Sequence, residues 1–326
     1  MLLVRSPLRI SLGGGGTDLP SYYREFGSAF VSAAIDKYVY VALSQPYEDS
    51  IVAKYSKYEK VLKVEEIEHP ILRETLRLVC PEIKKLEIAS FADIPAGTGL
   101  GSSGSFGTAL VKVLNLFLHK SMAPKEIAEL AIFVESVVLG EPTGKQDQYI
   151  AAFGGISQFT ISKDGSVEVS PLELSSQTIH LLEANLCLFY TGKSRDASKL
   201  LSDQDKRSRQ KERVILKDLD EIKSIGAETK IALENANMYK FAELMNEHWQ
   251  IKRRRTEGMS SNAIDQIYTL ALENGALGGK LVGAGGGGFL MFYTEDPPRL
   301  RSVMESLKMR ELRFGFDFEG TKVVLS

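Results

Sequence analysis

The stretch that decides the fold is Pro95-Ala-Gly-Thr-Gly-Leu-Gly-Ser-Ser-Gly-Ser105, a run of glycine and serine that opens an apolar segment. Glycine lets a backbone approach a polyanion closely, and the N-terminus of a following helix presents free amides and a positive dipole end. The segment after it has helical spacing, with apolar residues at Phe106, Ala109, Leu110, Val113, Leu114 and Phe117. The pattern predicts a phosphate-binding loop at the start of a helix over residues 103–119.

The serines of this stretch fall around the first turn of the predicted helix. Hydroxyls at Ser102, Ser103 and Ser105 can cap the helix, contact phosphate or ligate a magnesium ion carried by a nucleotide. A plain loop followed by a helix cap explains the same residues without any ligand. Both interpretations stay open on this stretch alone.

Two other kinds of phosphate loop do not fit the sequence. Gly99, Gly101 and Gly104 satisfy Gly-x-Gly-x-x-Gly, but residues 95–98 separate them from the preceding strand-like run. A dinucleotide-binding fold also has an acidic residue at the end of a strand about 20 residues later, and the sequence has no such strand end there. A Walker loop is excluded too, because residues 140–146 are one residue short between the glycines and lack the final Ser or Thr.

The composition describes an ordinary globular chain of about two domains. It has 326 residues, 44% hydrophobic and 25% charged, and a formal net charge of −2. This balance offers no general attraction for nucleic acid or an anionic membrane. Cys80 and Cys187 lie in apolar stretches and match no metal spacing, and the histidines are scattered. With no stretch long enough for a signal or membrane segment, we expect a cytoplasmic protein with reduced thiols.

The hydrophobic pattern divides the chain near residue 170. Helical spacing predicts helices over 72–79, 103–119, 124–139, 216–235, 240–254 and 264–273. Strand-like runs occupy 29–43, 51–55, 86–91, 156–162, 167–170, 185–190, 280–282, 289–293 and 321–325. Residues 1–7 look like a strand entering a loop. The polar run 202–213 predicts an exposed helix or a loop, because it has almost no apolar face.

Two further glycine clusters and one acidic pair mark the chain. The two clusters are Gly13-Gly-Gly-Gly-Thr-Asp18 and Gly283-Ala-Gly-Gly-Gly-Gly288. Glycine runs are entropically costly to order, so they are best explained where the backbone must pass close to a ligand or another strand. A strand follows the last cluster, so it is not a dinucleotide fingerprint. Asp147 could accept or position a hydroxyl proton, while Glu135 could hold magnesium or simply lie on the solvated face of a helix.

Three stretches together resemble the motifs of the GHMP kinases, the superfamily of galactokinase, homoserine kinase, mevalonate kinase and phosphomevalonate kinase. Pro7-Leu-Arg-Ile-Ser-Leu-Gly-Gly-Gly-Gly-Thr-Asp18 is similar to the first motif, Pro95 to Ser103 meets the second, and Lys280 to Gly288 meets the third. The resemblance implies an α+β, two-domain GHMP kinase fold. Its N-terminal domain, residues 1–170, would carry motifs 1 and 2, and a ferredoxin-like C-terminal domain, residues 171–326, would carry motif 3.

Within the superfamily, the chain is most similar to the D-glycero-D-manno-heptose 7-phosphate kinases. The similarity rests on residues 13–18, on Gly144-Lys-Gln-Asp-Gln-Tyr149, on residues 190–195 and on residues 275–288. It implies an ATP-dependent phosphotransferase with an alcohol acceptor, acting on the anomeric C1 hydroxyl of the heptose 7-phosphate to give the 1,7-bisphosphate. L-Fucokinases and other sugar-1-kinases carry closely similar motifs and stay as the alternative.

The resemblance also assigns roles position by position. Asp147 stands where the family has its catalytic aspartate, and Arg9 where galactokinases have a cation that steadies the carboxylate and the transferring phosphoryl group. Ser103 and Glu135 correspond to the Mg²⁺ ligands. The implied ATP-binding residues are Pro95, Gly97, Gly99, Leu100, Gly101, Ser102, Ser103, Gly104 and Ser105. The implied substrate-binding residues are Gly14, Gly15, Gly16, Thr17, Asp18, Asp147, Arg195, Gly285 and Gly286.

The sugar side departs from galactokinases at one point. Asp18 aligns with the aspartate that binds sugar hydroxyls, but Gly15 and Gly16 replace a Glu-His pair. This change would open the pocket for a substrate larger than galactose. The implied mechanism is in-line phosphoryl transfer from magnesium ATP, and whether Asp147 removes the proton or only orients the hydroxyl is open.

A phosphorylated sugar also needs cations. Arg195, Lys193 and the run Lys252-Arg-Arg-Arg255 are candidates, and each could equally be a solvated surface charge. A catalytically silent kinase-like sensor is a further alternative, disfavoured because both metal ligands and the catalytic pair are present. We therefore expect ATP and Mg²⁺ as cofactors, a sugar phosphate as partner, a homodimer as the candidate oligomer, and no nucleic acid or membrane.

Overall fold

The computed structural model describes residues 1–192, 197–255 and 258–326. Its strands are β1 (Leu2–Gly13), β2 (Ser28–Ser44), β3 (Ile51–Lys54), β4 (Tyr58–Val61), β5 (Leu86–Ala92), β6 (Ile156–Ile161), β7 (Val167–Pro171), β8 (Leu186–Tyr190), β9 (Ala276–Leu281), β10 (Phe289–Thr294), β11 (Arg310–Leu312) and β12 (Lys322–Leu325). Its helices are α1 (Pro20–Phe26), α2 (Pro70–Val79), α3 (Ser102–Phe117), α4 (Pro124–Ile132), α5 (Gln146–Phe153), α6 (Ser176–Asn185), α7 (Ala197–Arg209), α8 (Arg213–Glu234), α9 (Met238–Arg255), α10 (Asn262–Glu273) and α11 (Pro297–Ser306).

The first sheet is built around the long strand β2. Its strand order is β12-β1-β2-β5-β3-β4, and β2 also pairs with β6, which in turn pairs with β7. The two ends of β2 serve different neighbours, since residues 39–44 pair with β5 and residues 28–33 pair with β6. β3 runs parallel to β5, and the other pairs described in this sheet are antiparallel.

Strand β1 is longer than the sequence predicts. Residues 1–7 were expected to enter a loop at Pro7, but β1 continues to Gly13 and pairs with β2 along this length. The strand tolerates Pro7 because the ladder shifts register between Pro7 and Leu8, and β12 pairs only with residues 3–5. This extension carries Arg9 and the first glycine cluster to the functional site.

The second sheet has the order β11-β8-β10-β9, with every described pair antiparallel. In chain order its strands therefore lie fourth, first, third and second, the arrangement of a ferredoxin-like βαββαβ unit. The described residues of the connection from β8 to β9 include the helices α7 to α10, and α11 connects β10 to β11. The α+β fold with a ferredoxin-like C-terminal part is thus confirmed.

The strand β12 comes from the end of the chain but pairs with β1 in the first sheet, with Val4 opposite Val323. The first sheet is therefore not built from residues 1–170 alone. The division into domains 1–170 and 171–326 stays a prediction. In the parts of the chain that the structure describes, no helix is long and apolar enough to cross a membrane.

The apolar faces of the predicted helices lie where their spacing indicates. Ala109, Leu110, Val113 and Leu114 of α3 pack in one core with Val41 of β2 and its neighbours.

Both cysteines are buried free thiols, as expected, and burial raises the pKa of Cys80 to about 11. Two local expectations were confirmed only in part. The helix over 124–139 ends at Ile132 and continues as wider π-type turns over Phe133–Val138, and the polar run is largely the helix α7, which buries Gln204 and Ser208.

Candidate active site

All three glycine clusters meet at one cavity of about 230 Å³. The first contributes Gly15 and Gly16, the second Gly97, Gly99 and Gly101, and the third Gly283. Because these clusters lie far apart in the chain, their convergence is a property of the fold. The cavity therefore lies where the first sheet, α3 and the hairpin between β9 and β10 come together.

The second cluster forms the predicted loop before α3. Gly97, Gly99 and Gly101 have φ of 77°, 83° and 79°, values that favour glycine. Gly101 is the N-cap of α3, and no side chain caps this helix end. The first amides of α3 are therefore left for a ligand rather than for a cap. Ser102 and Ser103 line the cavity beside them.

Several predicted ATP-binding residues support the loop from behind. Ser105 is fully buried, and its hydroxyl donates to the carbonyl of Pro7 over 2.7 Å. Leu100 lies in the core, and Pro95 accepts a hydrogen bond from the Thr98 hydroxyl. Their assignment as ATP contacts stays a prediction.

The second and third clusters touch each other at Gly99 and Gly283. A Cβ on Gly99 would lie 2.8 Å from the carbonyl oxygen of Val282, so only glycine allows this approach. Gly285 and Gly286, predicted to bind substrate, lie against Met259 instead, where the Gly286 amide donates to the Met259 carbonyl over 3.0 Å. Among the described residues of this cluster, Gly283 and Ala284 are the ones that line the cavity.

Asp147 and Arg9 form an ion pair at the cavity wall. Asp147 lies in the first turn of α5, and Arg9 reaches it from β1. Nε and Nη2 of Arg9 both lie 2.8 Å from the same carboxylate oxygen, Oδ1. Nη1 of Arg9 donates to the carbonyl of Gly99 over 2.5 Å, which joins the pair to the glycine loop. In the described part of the chain, Oδ2 of Asp147 accepts no hydrogen bond and stays available to a ligand.

Glu135 lies behind Ser103 rather than on a solvated helix face. It is buried in the π-type turns that follow α4, which the periodicity did not predict. Its Oε2 accepts from the Ser103 hydroxyl over 2.5 Å, and its Oε1 accepts from the Gln148 amide over 2.8 Å. Burial raises the pKa of Glu135, and the nearby charge of Asp147 adds to this effect. The Ser103 hydroxyl and the Glu135 carboxylate therefore place two oxygen atoms side by side at the first turn of α3.

The first glycine cluster is held in place by Thr17 and presents Asp18. The Thr17 hydroxyl donates to the Gly14 carbonyl over 2.9 Å and lies 2.6 Å from the Ser28 hydroxyl. Asp18 Oδ2 accepts from the backbone amide of Gln146 over 3.0 Å. Burial raises the pKa of Asp18. Thr17 therefore supports the loop, while Asp18 lines the cavity close to the start of α5.

Two donors at this end of the cavity were missed by the sequence analysis. The hydroxyl of Ser11 and the Nε2 amide of Gln146 are buried, line the cavity and have no hydrogen-bond partner among the described residues. Buried polar groups are nearly always hydrogen-bonded, so such orphans point to a polar ligand. Lys145, next in sequence to Gln146, points elsewhere and pairs with Glu129 over 2.8 Å.

A group of buried bases forms the opposite wall, and we call it the cationic wall: His248, Lys252 and Arg255 of α9, and Lys280 of β9. All four line the cavity. The spacing of the three α9 residues places them on one helix face, a signal that the sequence analysis did not use. The run 252–255 is thus split, because Arg253 pairs with Asp265 over 2.9 Å and leaves the cavity.

Burial weakens the positive charge of this wall. Lys280 donates to the Leu12 carbonyl over 2.9 Å, and burial lowers its pKa to about 7. Burial and the neighbouring lysines lower the pKa of His248 well below its usual value, so the imidazole is neutral at pH 7. Lys252 donates to the carbonyls of Leu281 and Gly283. The predicted cations Lys193 and Arg195 lie outside the described residues.

The fold and this cavity define a class of protein: a phosphotransferase with a glycine loop at a helix N-terminus and carboxylates facing it. Family models agree. The model of the GHMP kinases N terminal domain matches residues 67–155, and that of the GHMP kinases C terminal matches residues 229–309. The chain therefore belongs to the GHMP kinase family, and it is a sugar kinase that uses ATP.

Individual relatives are similar over nearly the whole chain. A D-glycero-alpha-D-manno-heptose 7-phosphate kinase of Campylobacter jejuni is 29% identical over 98% of this chain and 96% of its own. A crystal structure of a D-glycero-D-manno-heptose 1-phosphate kinase from Bacteriodes thetaiotaomicron is 25% identical, with a TM-score of 0.81 over 100% of this chain and 99% of that one. An L-fucokinase/L-fucose-1-P guanylyltransferase of Bacteroides fragilis is 26% identical over 92% of this chain, but over 35% of its own length.

Proposed function

We propose that this sugar kinase transfers the γ-phosphoryl group of ATP to the C1 hydroxyl of D-glycero-D-manno-heptose 7-phosphate, giving the 1,7-bisphosphate. The observation that carries the proposal is the Arg9–Asp147 pair, which lies between the glycine loop and Asp18 on one cavity. The sugar is proposed from the relatives that are heptose kinases, whose names differ in the position of the phosphate.

The ATP phosphates would lie on the loop before α3. Uncapped amides at the helix start provide directed donors, and the helix dipole favours the polyanion. Gly97, Gly99 and Gly101 keep the backbone free of side chains on this surface. We assign the phosphates to this loop because it joins directly to the Arg9–Asp147 pair through the carbonyl of Gly99.

The residues around Ser103 fit a magnesium ion. Ser103 and Glu135 provide a hydroxyl and a carboxylate oxygen 2.5 Å apart, the hard ligands that Mg²⁺ prefers. Glu135 is a buried acid whose described hydrogen bonds come from neutral groups, so a cation would stabilise its charged form. No cluster of three or more metal-binding side chains occurs in the described ranges, which suits an ion that keeps waters and nucleotide phosphates as ligands. When bound, Mg²⁺ would neutralise charge on the phosphates.

Asp147 would act on the accepting hydroxyl. The hydrogen bond from Nε of Arg9 and the ion-pair contact from Nη2 both go to Oδ1, which holds the carboxylate in one orientation and leaves Oδ2 for the C1 hydroxyl. Oδ2 would accept the hydroxyl proton or its hydrogen bond as the hydroxyl oxygen attacks phosphorus. Arg9 would also stabilise negative charge on the transferring group, since it is buried beside the loop.

The sugar would lie between Asp18 and the orphan donors. The carboxylate of Asp18 can accept hydrogen bonds from the ring hydroxyls. The Ser11 hydroxyl and the Gln146 amide can donate hydrogen bonds to the same hydroxyls. Gly15 and Gly16 expose backbone rather than side chains at this end of the cavity. This arrangement leaves room for the longer chain of a heptose.

L-Fucokinase activity is the second candidate, because the Bacteroides fragilis relative matches 92% of this chain. The two candidates are separated by incubating the protein with magnesium ATP and either heptose 7-phosphate or L-fucose. ADP release would be measured, and phosphorus NMR would locate the new phosphate. We expect transfer to C1 of the heptose 7-phosphate. Efficient transfer to L-fucose alone would overturn the proposed substrate.

A further inference from the structure

Arg255 is the buried base of the cationic wall whose Nε and Nη1 atoms have no hydrogen-bond partner among the described residues. It ends α9, its side chain is 6% exposed, and it lines the cavity. Its Nε and Nη1 atoms are buried, with no hydrogen-bond partner in the described parts of the chain. A buried guanidinium in this state is strongly unfavourable unless a hydrogen-bond acceptor meets its free donors.

The described residues around Arg255 give Nε and Nη1 no hydrogen-bond partner. The charges of Asp218 and Asp203 favour the charged form of Arg255, while the charge of Arg207 opposes it. Asp218 is already engaged by Arg254 over 2.9 Å. Arg207 donates to the backbone carbonyl of Arg255 over 2.7 Å, which fixes the helix end but does not reach the guanidinium.

Arg255 points to the sugar end of the cavity rather than to the ATP loop. A Cβ on Gly16 would lie 3.5 Å from Nη1 of Arg255, so the guanidinium packs on the first glycine cluster. Gln204 of α7 donates to the Gly16 carbonyl over 2.7 Å and lines the same region. Lys252 lies one helical turn away, toward the third cluster, and Arg9 lies beside the glycine loop.

We propose that Arg255, assisted by Lys252, binds the phosphate that the sugar substrate already carries, at the end of the substrate opposite the reacting hydroxyl. The inference rests on the proposed function, and it adds the residues that select a phosphorylated sugar over a free one. A guanidinium offers paired donors that match phosphate oxygens, and a buried site makes each charge-assisted hydrogen bond stronger. Burial lowers the pKa of Arg255 only to about 10, so it is charged at neutral pH.

Removing the phosphate contact tests this assignment. We would measure kcat/KM of the wild type and of Arg255→Met with heptose 7-phosphate and with the same heptose lacking the phosphate. We expect kcat/KM for the phosphorylated sugar to fall at least about 30-fold in the variant, because a buried charge pair loses one partner. The free heptose should change less than about threefold, and KM for ATP should stay the same.

The neighbouring Arg253→Met serves as the matched control, because Arg253 pairs with Asp265 away from the cavity. It should leave both sugars unaffected. Arg255→Lys keeps the charge but loses the paired donors, so it should recover part of the lost selectivity. Circular dichroism and thermal unfolding of each variant would show that it folds. If Arg255→Met does not fold, the comparison of Arg255→Lys with the wild type decides.

The outcomes separate this inference from the proposed function. Equal losses on both sugars, or a raised KM for ATP, would overturn the assignment of Arg255 while the kinase activity on heptose 7-phosphate stands. A wild type that ignores heptose 7-phosphate but phosphorylates a free sugar would overturn the proposed substrate itself. Inorganic phosphate offers an independent check. It should inhibit the wild type competitively against heptose 7-phosphate, and Arg255→Lys should weaken this inhibition at least about fivefold.

Discussion

The two walls of the cavity differ in how their charges are neutralised. We call Asp18 and Asp147, with Glu135 behind Ser103, the acidic wall. Each of these carboxylates accepts a hydrogen bond from inside the protein: Asp147 from Arg9, Glu135 from Ser103 and Gln148, and Asp18 from a backbone amide. In the cationic wall, Lys252 and Lys280 donate to backbone carbonyls, and Arg255 keeps two nitrogens without a described partner.

The difference separates chemistry from recognition. The acidic wall is arranged before any substrate arrives, which suits groups that must be held at fixed positions during phosphoryl transfer. In the cationic wall, Arg255 would gain most from an anionic substrate, because two of its nitrogens have no described partner. Changes at Asp147 and Glu135 should therefore act on kcat, and changes at Arg255 on the choice of substrate.

The largest expected effect is that of Asp147→Asn. The amide keeps the size of the side chain but cannot accept a proton or pair as strongly with Arg9. We expect kcat to fall about 1,000-fold or more, with less than about fivefold change in KM for either substrate. Steady-state kinetics on purified protein would measure both constants. A kcat within about tenfold of the wild type would show that Asp147 is not central to transfer.

Glu135→Gln should have the next largest effect. The amide retains the hydrogen bond from Ser103 in shape but removes the charge that would hold magnesium. We expect kcat at a fixed low Mg²⁺ concentration to fall about 100-fold, and the Mg²⁺ needed for half-maximal rate to rise at least about tenfold. A titration of rate against Mg²⁺ tests this. Glu141→Gln, an exposed neighbour, is the control. Unchanged Mg²⁺ dependence would remove Glu135 from the metal site.

Gly99 packs against Val282 and Gly283 where the two walls meet, and its substitution tests this contact. Gly99→Ala would place a Cβ 2.8 Å from the Val282 carbonyl oxygen at a φ of 83°, so both strain and overlap oppose it. We expect a loss of about 3 kcal/mol in the free energy of unfolding. Gly140→Ala, at a φ of 69° with open space around it, should cost only about 1 kcal/mol. Urea unfolding of both variants measures the difference, and equal losses would mean that contact with Val282 adds nothing.

The smallest effect concerns the pH dependence of stability. Burial lowers the pKa of Lys280 to about 7 in the folded protein, against an ordinary lysine pKa of 10.5. Between these values the unfolded chain binds more protons than the native state, so stability rises with pH through this window. The slope from this one group is at most about 1.4 kcal/mol per pH unit. The cost of burying the charge is fully present below pH 7.

The variant Lys280→Met removes this contribution. The free energy of unfolding of the wild type should rise relative to that of the variant between pH 7 and pH 9, as measured by urea unfolding at each pH. Lys84→Met, which changes an exposed lysine, provides the comparison. If wild type and Lys280→Met have parallel curves over this range, Lys280 stays charged when buried and the cationic wall is more polar than we infer.

Much of the fold follows from local patterns that are visible in the sequence. The spacing of apolar residues predicts α2, α3, α8, α9 and α10 because helical periodicity is a property of a short segment. The loop of Gly97, Gly99 and Gly101 is predicted for the same kind of reason, since glycine is required wherever φ is positive. The acidic pair of Glu135 and Asp147 stood out from residue type before any resemblance, while the role of Arg9 came from the family motif and not from periodicity.

The missed features depend on partners that are distant in the chain. The polar helix α7 buries Gln204 because the carbonyl of Gly16 accepts its hydrogen bond, and no local pattern contains that contact. Lys280 becomes a buried base through its hydrogen bond to Leu12. Pattern reasoning treats polar residues as exposed, so it fails where the interior supplies their partners.

The sequence by itself determined the family and the glycine loops, because these depend on residue types at fixed local spacing. The ferredoxin-like C-terminal part was an implication of the family resemblance. Only the tertiary structure decided that Arg253 leaves the cavity while Arg255 enters it, and that Glu135 lies behind Ser103. The physical reason is that a charge is expensive to bury unless a partner meets it. Which charges are buried, and which wait for a ligand, is therefore decided by the packing of segments that are far apart in the chain.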